Sequence, residues 1–260
     1  MNNFLPVSKK EMDERDWDYY DFLYVVGDAY VDHPSFGTAL LARWLEYNGY
    51  RICICPQPDR NDKEALTKYG TPRLGVLISG GVIDSMVNHY TASRRRRSDD
   101  AFTPNGAPNA RPDHASEVYT QTLKRFYPDV PVLLGGIEAS MRRLTHYDYW
   151  EDSLRESILK KSGADLLVYG MGEEPLREIL SLLMRGVPFS SLKTVPQTAF
   201  IMQGDAPLPK NKRWEDLHLP SHSECKKDKL SYARASRHIE EESNSRHAHR
   251  LVQVVGDEKV

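Results

Sequence analysis

Cysteine is scarce: Cys53, Cys55 and Cys225 are the only three in 260 residues. That is an odd number, too few to staple a chain of this size, and suited to a reducing compartment. A thiolate metal site is not indicated either. Cys53 and Cys55 alternate within RICICP, where same-face strand positions hold small buried thiols, and no second Cys or His pair stands at ligand spacing. Long apolar runs are missing, and MNNFLPVSKKEMDERDWD lacks the basic-then-apolar order of a signal peptide. No membrane partner is expected, and a cytoplasmic location is. An excess of one charge is absent too: 35 Lys and Arg stand against 37 Asp and Glu, a net charge of -2. A nucleic-acid partner would need a local patch. Neither G-x-x-x-x-G-K-[ST] nor G-x-S-x-G occurs, which weakens nucleotide hydrolysis and serine esterase chemistry. Gly170-Met171-Gly172 starts like a dinucleotide fingerprint, but Pro175 stands where the third glycine belongs.

The chain has enough residues to bury a large core without metal or disulfide support. FLYVV at 22–26, a stripe at Gly37, Leu40, Leu41, Trp44 and Leu45, and RICIC at 51–55 read as strand, helix and strand. A short helix over 62–69, a buried strand over 74–78 and a helix over 82–90 follow. From 91 to 112 the apolar periodicity disappears, and that stretch reads as a functional or partly mobile insertion. Val118, Tyr119, Thr122, Leu123 and Phe126 mark a helix packed on the sheet, 130–134 the next strand, and Trp150, Leu154 and Ile158 a helix after it. Residues 165–169 supply the fifth strand. Glu173, Glu174 and Pro175 open a last helix striped by Leu176, Ile179, Leu180 and Leu183. This alternation predicts an α/β fold, a Rossmann-like three-layer sandwich on a mainly parallel five-stranded sheet, with a C-terminal linker and helical appendage. The expected division is 1–200 and 201–260. Residues 204–228 read as linker, 229–250 as a polar helix, and 251–255 as a strand with nothing visible to pair against.

Function is sought where apolar runs end in crowded polar groups, because open parallel sheets bind ligands beyond the carboxyl ends of their strands. VLLGGIEASMRRLTHYDYW, residues 132–150, is the stretch around which the rest is organised. It supplies Gly135, Gly136, Glu138, Arg142, Arg143, Tyr147 and Asp148. Similar strand ends offer Asp28, then Ser79, Gly80, Gly81 and Asp84, then Gly172 and Glu173. The loop GDAYVDHPSFG adds Asp32, His33 and Ser35, which can serve a polar ligand or simply cap the first helix, with Pro34 beginning it. Arg142-Arg143 is the stronger anion-binding candidate, with internal ion pairing as the alternative. Arg94 to Arg97 form a run of four that reads as a solvated or internally paired loop.

Several long stretches carry a resemblance: GDAYVDHPSFG, IDSMVNHYTASRRRRSDDAFTP, RPDHASEVYTQTLKRF, VPVLLGGIEASMRRLTHYDYWEDSLR, ADLLVYGMGEEPL and KLSYARASRHIEEESN. Together they resemble the N-terminal region of YgiQ-type radical SAM proteins over nearly the whole chain. The resemblance implies a Rossmann-like accessory domain, similar in layout to cobalamin-binding domains, ahead of a radical SAM barrel absent here. In that family a C-x-x-x-C-x-x-C motif holds a [4Fe-4S] cluster that cleaves S-adenosylmethionine to a 5′-deoxyadenosyl radical. No such motif occurs in this sequence, so both cofactors belong to the full-length protein and the chain alone is expected to be inactive, a fragment or truncated copy. The domain would hold a substrate or a corrinoid and partner the missing barrel. Cobalamin is only weakly implied: in the D-x-H-x-x-G loop of such domains a histidine ligates cobalt, whereas here Asp32 directly precedes His33 and Gly37 falls one position late. A small-ligand binding module without catalysis, or an RNA-interaction module using Arg94 to Arg97, are the alternatives.

Overall fold

The computed structural model describes residues 4–260. Helix α1 (Lys9–Asp13), capped by Ser8, precedes β1 (Phe22–Val26), and α2 (Gly37–Tyr47) connects to β2 (Ile52–Pro56). Helix α3 (Lys63–Thr67) leads to β3 (Gly75–Ser79), and α4 (Ser85–His89), a long loop and α5 (Ala115–Phe126) lead to β4 (Val132–Gly135). Next come α6 (Gly136–Met141), the hairpin strands β5 (His146–Asp148) and β6 (Ser153–Arg155), α7 (Ile158–Ser162), β7 (Leu166–Val168) and α8 (Glu173–Met184). The C-terminal part holds β8 (Thr198–Ala199), β9 (Met202–Gln203), β10 (Asp216–His218), α9 (His222–Lys227), α10 (Lys229–Ser243), β11 (Arg250–Val252), β12 (Val254–Val255) and β13 (Glu258–Lys259).

The main sheet has the order β2-β1-β3-β4-β7-β8 and is parallel except for β8. Both faces are covered, which is why its strands are continuously apolar rather than alternating. Phe22, Tyr24 and Val26 pack with Ala42 and Leu45 of α2 and with Leu176, Ile179 and Leu180 of α8. Leu23 and Val25 point the other way, toward Tyr119 and Leu123 of α5 and Ile158 and Leu159 of α7. Full burial of a side chain such as Leu45 or Leu123 is worth roughly 1.5–3 kcal/mol. Cys53 and Cys55 sit in this second layer, buried and unbridged, and burial pushes both thiols up to about 12. Such thiols are inert packing groups at neutral pH. Because β1 lies between β2 and β3, the chain changes direction across the sheet there, a topological switch point.

Three expectations are corrected. The sheet has a sixth strand, β8, antiparallel to β7 and only two residues long, too short to leave a periodic signal. The helix expected from Trp150, Leu154 and Ile158 is a hairpin followed by α7. Asp148 Oδ1 accepts from the N–H groups of Trp150 and Glu151, both at 2.9 Å, and holds the tight turn that helical spacing had concealed. Residues 204–228 are more than a linker, and the apolar end of the chain finds partners: β11 pairs in parallel with β10, while β12, β13 and β9 form a small antiparallel sheet. Among the described residues no helix is long and apolar enough to cross a membrane.

Candidate functional site

The carboxyl ends of β3, β4 and β7, together with Tyr24 of β1, line a cleft of about 280 Å³. Its floor is glycine-rich because the chain must turn sharply there. Gly136 has φ 81, and a Cβ on it would stand 2.5 Å from Ser79 Oγ; Gly81 has φ 121 and lies against Asp28 and Arg111. The walls are apolar, with Val82, Ile137 and Met171 left exposed. Helices α2 and α8 begin at the cleft, and neither N-terminus receives a side-chain cap. Their first N–H groups are therefore left for water or a ligand. The expected capping of α2 by Asp32 or His33 does not occur: its N-cap is Phe36.

The structure brings Ser35, Ser79, Gly81, Gly135, Gly136, Gly172 and Glu173 together around this cleft. The other candidates lie elsewhere. Asp28 is buried beneath the rim, where its Oδ1 lies 2.7 Å from the Arg111 guanidinium and its Oδ2 accepts from Val82 N–H at 2.6 Å. Arg111 has no exposed side-chain surface; it also donates to the Gly80 carbonyl at 3.0 Å and to both oxygens of Asp100, each at 3.1 Å. Burial raises the Asp28 carboxyl above its ordinary range even though Arg111 and Val82 N–H favour the charged form. Asp100 is also pushed up by burial, but the Phe102 N–H, Arg111 and Asn88 outweigh that and leave it lowered. Arg111 thus ties the 91–112 stretch to the strand ends, joined by the Ala29 N–H donating to the Phe102 carbonyl at 2.8 Å and Gln57 Nε2 donating to Thr103 Oγ1 at 2.7 Å.

Glu138 is buried and caps two helices at once, accepting from Ser85 N–H at 2.8 Å and Ser116 N–H at 2.7 Å. Asp84 caps α4 through Met86 and Val87 N–H and pairs with buried Arg142. Asp148 is spent on its turn, with Arg155 at 3.8 Å. Tyr147 is exposed, and its hydroxyl donates to Asp152 at 2.5 Å. Asp32 is held by Arg43, whose hydrogen bonds keep its carboxyl below the usual range. Arg143 turns away from the rim altogether. Of the arginine run, Arg94 donates to the Tyr149 carbonyl at 2.6 Å and Arg96 lies 3.8 Å from Asp113. Arg111 and Asp100 were missed because their partners are scattered along the chain and no motif marks them.

Among the described residues no group of three His, Cys, Asp or Glu side chains could hold a metal ion. The three buried thiols do not converge, so this chain does not fit a [4Fe-4S] cluster. His33 does not fit a cobalt ligand either. Its Nδ1 accepts from Ser35 N–H at 3.2 Å, which puts the ring proton on Nε2, the nitrogen a metal would need. Its neighbour Asp32 is committed to Arg43 and does not orient the ring.

Residues 4–260 match the family described as radical SAM N-terminal. The chain belongs to that family. This radical SAM N-terminal domain is 52% identical over its whole length to a UPF0313 protein of Porphyromonas gingivalis, covering 41% of that protein. It is 49% identical to one of Bacteroides thetaiotaomicron, covering all of the domain and 43% of the relative. A Geobacter sulfurreducens relative is 48% identical over 98% of the domain and 42% of its own length. The domain thus spans about two fifths of the curated relatives it matches.

Proposed function

We propose that this domain holds a small-molecule substrate for a larger radical SAM protein, with the strand-end cleft as the place where that molecule, or its less reactive end, is gripped. The observation that carries the reading is the cleft itself: it lies where three strand ends meet beside β1, glycines clear its floor, and two uncapped helix N-termini supply donors beside apolar walls. The cluster and S-adenosylmethionine chemistry belong to the rest of the polypeptide. The residues of this domain bind and orient, and the Arg111 and Glu138 networks keep the rim rigid so that binding geometry is set before the ligand arrives.

The test uses a longer relative such as the Porphyromonas gingivalis protein carrying this domain's Ile137→Asp or Val82→Asp change at the aligned position. Both side chains are exposed on the cleft wall, so neither change disturbs the core. Reductive cleavage of S-adenosylmethionine is followed with and without the dialysable small-molecule fraction of the source cells. Stimulation by that fraction is expected to fall about tenfold in the variants, with unstimulated cleavage unchanged. Full stimulation in both folded variants would contradict the reading.

A further inference from the structure

Adjacent in sequence, Arg142 and Arg143 are separated by the fold. Arg142 is buried against Asp84, whereas Arg143 enters a second cleft of about 370 Å³ between the outer edge of the main sheet and the C-terminal elements. There its guanidinium donates to the Ser140 carbonyl at 2.6 Å and to Ser243 Oγ at 3.4 Å, and lies 4.6 Å from the centre of the Tyr169 ring. Among the described residues no carboxylate pairs with it. Lys193 and Lys259 line the same cleft and also lack an acidic partner among the described residues. Lys193 Nζ lies 5.7 Å from the Phe200 ring, and Lys259 Nζ donates to the carbonyls of Gly204 at 2.9 Å and Ala206 at 2.5 Å.

Glu242 and Arg250 also line the wall, and each has a local partner. Glu242 accepts from the His249 N–H at 2.6 Å and lies 3.0 Å from its Nδ1, and Arg250 is paired with Asp216. Trp214 contributes a buried Nε1–H with no acceptor among the described residues. Burial holds Arg143 below the ordinary arginine range, as expected for a desolvated cation with no counter-charge. Three cations without an acidic partner among the described residues, an orphaned indole donor and aromatic walls form an arrangement that favours binding of an anion.

We propose that this second cleft is a binding site for a small organic anion with a flat apolar body. Arg143 meets the carboxylate or phosphate, Lys193 and Lys259 add to the field, and the body lies against Tyr169, Phe200 and Trp214. This site is separate from the strand-end cleft and stands whether or not that cleft binds substrate.

The 260-residue chain is titrated with 1-naphthoate, with its neutral counterpart 1-naphthalenemethanol and with inorganic phosphate, following tryptophan fluorescence and heat. Naphthoate is expected to bind saturably, with the alcohol and phosphate each weaker by about tenfold or more. Arg143→Met is expected to weaken naphthoate by about tenfold, and Lys193→Gln, at a half-buried position with no polar side-chain partner among the described residues, by a few-fold. Lack of saturation, equal binding of the alcohol or of phosphate, or unchanged affinity in both folded variants would overturn the proposal.

Discussion

Arg111 places one positive charge between two carboxylates, Asp28 and Asp100, with no side chain surface reaching water. A buried ion pair adds little over a well-packed apolar replacement, yet removing one partner alone is severe. Arg111→Met is therefore expected to lower stability by about 3–5 kcal/mol in urea unfolding, and a loss under about 1 kcal/mol would show that the knot is not holding the loop. Titration gives a second prediction. Burial depresses the His146 imidazole from 6.5 to about 4, against the pull of the Leu144 carbonyl. Between those values the unfolded chain binds the extra proton, so this residue's contribution is complete above 6.5 and is lost as pH falls toward 4. His146→Gln should flatten the stability profile in that window by about one proton's slope; an unchanged profile would contradict the assignment. Below it, lowered Asp32, Asp100 and Asp113 act in the same direction, losing their contribution as they protonate. Asp28, raised by burial, acts oppositely: its contribution is present in acid and is lost as pH rises through its folded value.

Elements with continuous apolar runs were legible from the chain alone. FLYVV, ICICP and GVLIS are buried on both faces and read directly as strands, and the Glu173, Glu174, Pro175 start of α8 lies where its charges and proline favour it. Misreadings have local causes. Trp150, Leu154 and Ile158 match helical spacing, but Asp148 folds the chain into a hairpin by binding two backbone N–H groups. Two-residue strands such as β8 and β9 depend on partners distant in sequence and carry no periodicity of their own. The C-terminal part is tied down by Gln253, which is fully buried: its Oε1 accepts from Thr145 N–H at 2.8 Å and its Nε2 donates to the Pro220 carbonyl at 2.9 Å. Gln253→Ala orphans both backbone groups, at about 1–3 kcal/mol each. Hydrogen exchange should accelerate across β10, β11 and β12 while β1, β3 and β4 stay protected. Uniform acceleration through the main sheet would mean that residues 201–260 do not open as a separate unit.

At the scale of the molecule, three of the four strand ends named from the sequence line one cleft, the Gly27-Asp28 end turns inward, and most of the charged residues hold the scaffold together. Seven of the candidates line the cleft, Ser35, Ser79, Gly81, Gly135, Gly136, Gly172 and Glu173. Asp28, Asp84 and Arg142 are buried in internal ion pairs, and buried Glu138 accepts from the Ser85 and Ser116 N–H groups. Residue type alone marked a polar strand end without telling which groups would be spent inward, because that depends on Arg111 and on helices α4 and α5 arriving from elsewhere in the chain. The chain spans about two fifths of the curated relatives it matches, and the strand-end cleft is the site on which the proposed function rests. The most direct measurement is an amide-shift map of the 260-residue chain titrated with the dialysable small-molecule fraction of its source cells. Saturable shifts are predicted at Gly81, Gly136 and Gly172 and at the first N–H groups of α2 and α8. Shifts confined to residues 94–97, or none at the strand ends, would contradict it.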